Sequence, residues 1–333
     1  MKKLIDTEFL YASSRIRAIE RNLLTAETFR KMAEAGTPEE AFKAAADSGI
    51  CSGYGPEEYE AAISASLKNA YALAEELLKD KELVGLFRLR YDAHNLKVLV
   101  KSRAVGKDAA YLLSDLGNVP AEELAEHYAA GSIEGVAPQL KKAAEEAAAS
   151  LAKTRDPRMA DILIDRGAYE ALAGGAGGYQ NDYLHAVVEA KADVTNIRTL
   201  VRIKRMGTDA GLMRQAAVTG GTFGAEELGE AEEKGWDEIF ALIRRSPYAK
   251  SIEPALEDLK KGGALTGFEK LCDGAEMAVL KRARYIPFGA EPVLAWLLAK
   301  ENEAQCLRIV LSGKKSGLAP EKIMERLRDA YAQ

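Results

Sequence analysis

The chain writes one helical line three times. Asp193, Asn196, Ile197, Arg198, Leu200 and Val201 have a near-copy in Asp92, Asn95, Leu96, Lys97, Leu99 and Val100. A looser copy follows in Glu303, Cys306, Leu307, Arg308, Val310 and Leu311. Each begins with an acid, places Asn or Cys one helical turn on, and continues with an aliphatic, a cation and two further aliphatics. The copies lie about 100 residues apart, too far for a solenoid and suited to three small domains. On a helix the acid, the amide and the aliphatics share one face, and the cation falls roughly opposite.

The aliphatics therefore form a buried stripe, bordered or joined by the acid and the amide. A buried polar group without a partner costs about 1–3 kcal/mol. Asp92, Asn95, Asp193 and Asn196 are thus expected to bind neighbouring helix ends or an Arg within their own domain. A repeated polar contact with another molecule is the competing reading. The cations Lys97, Arg198 and Arg308 point away from the stripe.

Composition agrees with helices. Ala, Leu, Glu and Lys abound, β-branched runs are scarce, and there are only 10 prolines in 333 residues, a helix-forming balance. The expected fold class is all-α, with three similar helical domains at 1–107, 108–208 and 209–333. A net charge of −5 disfavours nucleic acid as a partner. Cys51, Cys272 and Cys306 are odd in number and far apart, which fits a reducing compartment and gives no zinc spacing. No apolar stretch is long enough to span a bilayer, and the start of the chain has no signal-peptide pattern.

Helix boundaries follow from caps and prolines. A first long helix is expected over 8–31, with a break near Thr25 and Thr28. Thr37-Pro38 opens the next one, with Glu40 three after the cap. Further helices are expected over 57–79, 83–104, 121–130 and 139–153, and from Pro157 onward. The glycines of 174–178 read as a flexible interhelix loop. Asn181 or Asp182 caps the second repeat helix, which ends at Gly207. The acid run of 225–234 reads as a solvated face. Helices follow over 236–245, 252–259 and 268–285, the last broken at Ile286-Pro287 because a residue before proline avoids the helical region. Pro292 opens the third repeat helix, ended by Gly313, and 320–332 reads as a terminal amphipathic helix.

Chemistry-bearing motifs are missing. The 174–178 cluster follows no strand and lacks the dinucleotide spacing. Gly313-Lys314-Lys315-Ser316 has Arg308 where a phosphate loop needs its first glycine, so the lysines read as charges at a helix C-terminus. His94, His127 and His185 are isolated, and Glu123 to His127 lacks the first histidine of a metalloprotease helix. No triad, metal cage or cofactor box emerges, so neither catalytic residue nor cofactor is assigned.

Tyr285-Ile286-Pro287-Phe288-Gly289-Ala290-Glu291-Pro292, running on through Lys300 and Glu303 to Lys314, resembles the C subunit of the archaeal and bacterial V/A-type ATPase/ATP synthase. The eukaryotic vacuolar ATPase has its counterpart in the d subunit. Ser14 to Leu24 is similar to the family's opening helix, and Tyr91-Asp92 to Lys97 and Asp193 to Arg198 are similar to its first two domain signatures. The resemblance spans the chain. It implies a funnel of three helical domains around a pseudo-threefold axis, seated on the membrane proteolipid ring and receiving the central stalk. It implies a non-catalytic rotor subunit that transmits torque for ATP-coupled H⁺ or Na⁺ transport. One copy per complex is expected, peripheral on the cytoplasmic side, with no direct bilayer insertion. Lys97, Arg198, Lys300, Arg308, Lys314 and Lys315 are the candidate contacts to stalk or ring, with solvent exposure as the alternative. Tyr285, Pro287, Phe288 and Gly289 read as a hinge between helices. A stand-alone helical scaffold, or an enzyme using the glycine loop on a phosphorylated ligand, are the competing functions.

Overall fold

In the computed structural model, residues 1–207 and 211–332 are described. The helices run α1 Leu10–Glu20, α2 Ala26–Glu34, α3 Pro38–Asp47, α4 Tyr59–Leu78, α5 Lys81–Val105, α6 Ala121–Ala129, α7 Pro138–Thr154 and α8 Pro157–Ala176. They continue as α9 Asp182–Met206, α10 Leu212–Ala216, α11 Ala225–Lys234, α12 Trp236–Arg245, α13 Ala249–Ile252, α14 Leu256–Lys260, α15 Leu265–Leu280, α16 Glu291–Lys315 and α17 Pro320–Arg326. Two-residue strands β1 (Lys2–Lys3) and β2 (Tyr179–Gln180) pair in parallel. The protein is all-α, as its composition indicates.

The described residues fall into two compact units. One holds Met1–Lys3 and Lys81–Ser246, the other Leu4–Asp80 and Pro247–Gln333. The first and the third of the three expected repeats thus share their residues between both units. The expected boundary at 208 lies outside the described residues.

In the first unit, α5 packs against α7 and α8, and α7 and α8 form a close hairpin. Ala93, Leu96 and Val100 of α5 meet Leu124, Leu140, Ala144, Ala147 and Ile164 in one buried cluster. Gly167 lets α8 approach α7: a Cβ there would overlap that of Ala143. The Ala-rich face of α7 thus works as a close-packing surface.

In the second unit, α16 packs against α4, α3, α2 and α1. Seventeen of its 25 residues are buried, so this helix has no extended solvent face. Thr25 and Thr37 cap α2 and α3 by accepting from Thr28 and Glu40 N–H, both at 3.2 Å.

Three boundaries differ from expectation. Gly174 and Gly175 lie within α8, and a Cβ on Gly175 would overlap Leu86 of α5. Neither glycine breaks the helix, and Gly175 makes room for a neighbour. Gly313 is likewise buried inside α16, with Ile323 of α17 2.9 Å from where its Cβ would be. The helix runs two residues past it, to Lys315. The terminal helix stops at Arg326. Beyond it the chain extends, and Ala332 bridges Thr25 in parallel.

Candidate functional site

The three long helices are α5, α9 and α16, each 25 residues. Asp92 and Asn95 on α5, and Asp193 and Asn196 on α9, are fully buried. Their partners are the loops that follow the same helices, so each pair forms a polar clasp.

On α5, Asp92 Oδ1 accepts from the backbone N–H of Asn118 (2.8 Å) and Val119 (3.3 Å). Its Oδ2 accepts from the Asn118 side-chain amide at 2.7 Å, and that amide also donates to the Gly85 carbonyl at 3.1 Å. Asn95 closes a two-way pair with the Ser114 backbone: its Oδ1 accepts from the N–H and its Nδ2 donates to the carbonyl, both at 2.8 Å.

On α9 the arrangement recurs. Asp193 Oδ1 accepts from the Thr222 N–H and Oδ2 from the Thr222 hydroxyl, both at 2.7 Å. Asn196 pairs both ways with the Val218 backbone, at 2.8 and 2.9 Å. Burial pushes the carboxyls of Asp92 and Asp193 above the usual carboxylate range, against the hydrogen bonds that favour their charged forms. Gly117 and Gly221 belong to the same device, since a Cβ at either would overlap the aspartate oxygen.

The third copy is altered. Cys306 replaces the asparagine and donates only Sγ–H, to the Arg328 carbonyl at 3.8 Å. Burial pushes its thiol up to about 12. Glu303 accepts from the Leu24 N–H at 2.7 Å and pairs with Lys300. Asn302 donates to the Asp329 carbonyl at 3.0 Å. These contacts explain why the chain beyond Arg326 is extended: its carbonyls are taken by α16 instead of by a helix of its own.

Five of the six candidate cations meet partners inside their own units. Lys97 pairs with Asp165 at 2.5 Å, and Lys101 beside it with Asp161 at 2.8 Å, a ladder between α5 and α8. Lys300 is buried against Glu303. Arg308 reaches Glu60 at 2.8 Å, and Lys315 pairs with Glu57. Lys314 donates to the Ala33 carbonyl (3.4 Å) and to that of Ala35, near the C-terminal end of α2. Arg198 is half-buried on α9. On α5 and α16 the face opposite the apolar stripe therefore also reaches a neighbouring helix, which helical periodicity alone does not reveal. The acid run of α11 is also engaged. Glu226 and Glu233 hold Arg214, Glu227 holds Arg245, and Glu232 is buried and accepts from the Met213 N–H.

Tyr285 to Gly289 is tied down at several points. Ser13 of α1 donates its hydroxyl to the Gly289 carbonyl at 2.9 Å and accepts from the Gly289 N–H at 3.2 Å. Arg17 donates to the carbonyls of Ala283 (2.6 Å) and Ile286 (2.9 Å). Gly289 has φ +133°, a conformation left to glycine. These ties to α1 hold the segment, expected as a hinge between helices, against its neighbour.

Among the described residues no group of His, Cys, Asp and Glu could hold a metal ion, and no helix is long and apolar enough to cross a membrane. The paired acids and amides of the long helices are all turned to structure. The family described as ATP synthase (C/AC39) subunit matches residues 12–326. The chain belongs to that family. It is 26% identical to the A-type ATP synthase C subunit of Methanocaldococcus jannaschii, over 98% of this chain and 88% of the relative. The C subunit of Haloferax volcanii is 27% identical over 95% of this chain and 96% of its own length. That of Thermococcus kodakarensis is 25% identical over 96% of this chain and 90% of its own. Family membership makes this chain an ATP synthase subunit, a structural component and not the catalytic one.

Proposed function

We propose that the chain is the rotor subunit that links the central shaft of an A-type ATP synthase to its membrane proteolipid ring. It passes torque between them for ATP-coupled H⁺ or Na⁺ transport. It acts as a single copy, peripheral on the cytoplasmic side. The observation that carries this reading is the family match over nearly the whole chain. The clasps support it. A part that carries torque needs stiff joints, and buried, fully bonded polar groups fix the loops after α5 and α9 to their helices. Dense helical packing transmits strain.

The packing also supports three repeats, each starting at its long helix. Helix α5 is followed by α6, α7 and α8, of 9, 17 and 20 residues. Helix α16 packs on α2, α3 and α4, of 9, 10 and 20 residues. Asp92 takes N–H groups just before α6, and Glu303 takes that of Leu24, just before α2. The third repeat is thus assembled from both ends of the chain. Its acid still binds the loop ahead of the next helix, although that helix lies at the start of the sequence.

Arg308 and Lys315 are the cations placed to exchange partners on assembly, because their ion pairs are partly exposed and such pairs contribute only about 0–1 kcal/mol. An affinity tag on the chain tests the proposal. Pull-down from solubilised membranes is expected to return the shaft subunits and the proteolipid together. Recovery of the chain without either overturns the reading.

A further inference from the structure

The Tyr285–Gly289 segment combines rigid anchoring with aromatic exposure. Tyr285 is 89% exposed and Phe288 48%, although hydrogen bonds from Ser13 and Arg17 hold the backbone around them. Pro287 between them is exposed too. Leu10, one helical turn before Ser13, is 44% exposed and lies on the α1 face turned to this segment. Two ordered aromatics and a leucine are therefore displayed to solvent by a segment that cannot fold them inward. Tyr and Arg at such positions are the residue types that dominate protein interfaces.

The charge of the patch differs from that of the molecule. The chain carries −5 overall, yet 280–290 holds Lys281, Arg282 and Arg284 and no carboxylate. Arg282 is exposed. Arg284 stacks over the Tyr331 ring at 4.7 Å, which fixes its guanidinium beside the patch. Glu291 and Asp6, near Gly289, and Asp329, near Lys281, offset much of this charge. Arg282 remains as the exposed cation at the rim of an apolar centre.

We infer that Leu10, Arg282, Tyr285, Pro287 and Phe288 form a docking surface for another member of the same complex, one that presents an apolar side chain flanked by carboxylates. Tyr285 and Phe288 take the apolar group and Arg282 pairs with the acids at the rim. The inference rests on the proposed function, which supplies a protein partner. It assigns to this segment a recognition role where the sequence suggested a hinge.

The test uses the tagged full-length chain, expressed in place of the native one, with p-benzoylphenylalanine at position 285. Irradiation of the assembled complex is expected to cross-link a peptide from another protein of the complex, with Asp or Glu beside an apolar residue. Arg282→Glu and the double variant Tyr285→Ala/Phe288→Ala are each expected to lower co-purified subunits at least tenfold. Arg282→Lys should retain most of them. All three should melt within about 2 °C of the parent chain, because the altered side chains are exposed. If the parent chain brings down no subunits, the functional proposal fails. If it does and the variants match it, the docking surface alone is wrong. A cross-link to a peptide without carboxylates, or variant-sensitive flotation with phosphatidylglycerol vesicles, also overturns the acidic protein partner.

Discussion

Asp193 holds Thr222 twice, taking the backbone N–H on one carboxylate oxygen and the hydroxyl on the other, both at 2.7 Å. A hydroxyl donates or accepts as its rotor turns. Asp193→Asn should therefore keep both contacts, with Thr222 turning to accept from the new amide. Asp92→Asn has no such exit. Asn118 donates to both Asp92 and the Gly85 carbonyl, so a new amide faces a donor, and flipping Asn118 sets its oxygen against Gly85. We expect Asp92→Asn to lose about 1–3 kcal/mol and Asp193→Asn less than about 1 kcal/mol, by urea unfolding.

The same substitution carries a pH signature. Burial holds the Asp193 pKa above its unfolded value, which is about 3.9. The native state then binds its proton at higher pH than the unfolded chain, and stability from this group falls as pH rises through the folded pKa. The amide of the Asp193→Asn variant does not titrate. The melting temperature of that variant minus that of the parent should rise from pH 4 to pH 7. A difference that falls over this range contradicts the assignment.

Gly117→Ala and Gly221→Ala should each be destabilising by about 1–3 kcal/mol, because the added carbon overlaps a clasp carboxylate that is itself fixed. Neither position needs a left-handed backbone, so the cost lies in the contact. Gly49→Ala, where a Cβ meets nothing but φ is +88°, separates that cost from backbone strain. Thermal melts of the three variants give the comparison.

In the third copy, Lys300 and Glu303 form a buried pair, 13% and 4% exposed. Lys300→Met strands the carboxylate with the Leu24 N–H and should cost about 3 kcal/mol, as breaking a buried pair does. Adding Glu303→Gln removes the stranded charge while keeping an acceptor for Leu24. The double variant should be more stable than Lys300→Met alone, giving a coupling above about 1 kcal/mol in a denaturant cycle.

Cys51, Cys272 and Cys306 are all buried, and burial raises the thiols of Cys51 and Cys306. Thiolates react and thiols do not. Native protein should label with a maleimide at least a hundredfold more slowly than protein in guanidinium.

Much of the helical layout was legible because starts are written in caps and prolines: Thr37-Pro38, Asp156-Pro157 and Asn181 stand where structure places helix N-termini. Glycines were less informative. Gly175 and Gly313 look like terminators, yet each makes room for a side chain that only tertiary packing brings near. The need of Asp92 and Asn95 for partners followed from their place beside the stripe. The partners themselves are loop N–H groups and carbonyls, which carry no residue signature. A glycine followed by a polar residue, Gly117-Asn118 and Gly221-Thr222, is the sequence feature common to both clasps. The extended stretch after Arg326 was illegible because Leu327, Ala330 and Tyr331 repeat at helical spacing, while contacts with α16 and Thr25 decide its conformation.

ATP-driven ion uptake by vesicles carrying the complex, assembled with and without this chain, is the sharpest test of the proposed mechanical role. Without the chain, ATP hydrolysis is expected to persist while ion uptake is lost, and adding the purified chain back should restore uptake. Uptake that continues at the original rate without the chain would contradict that role.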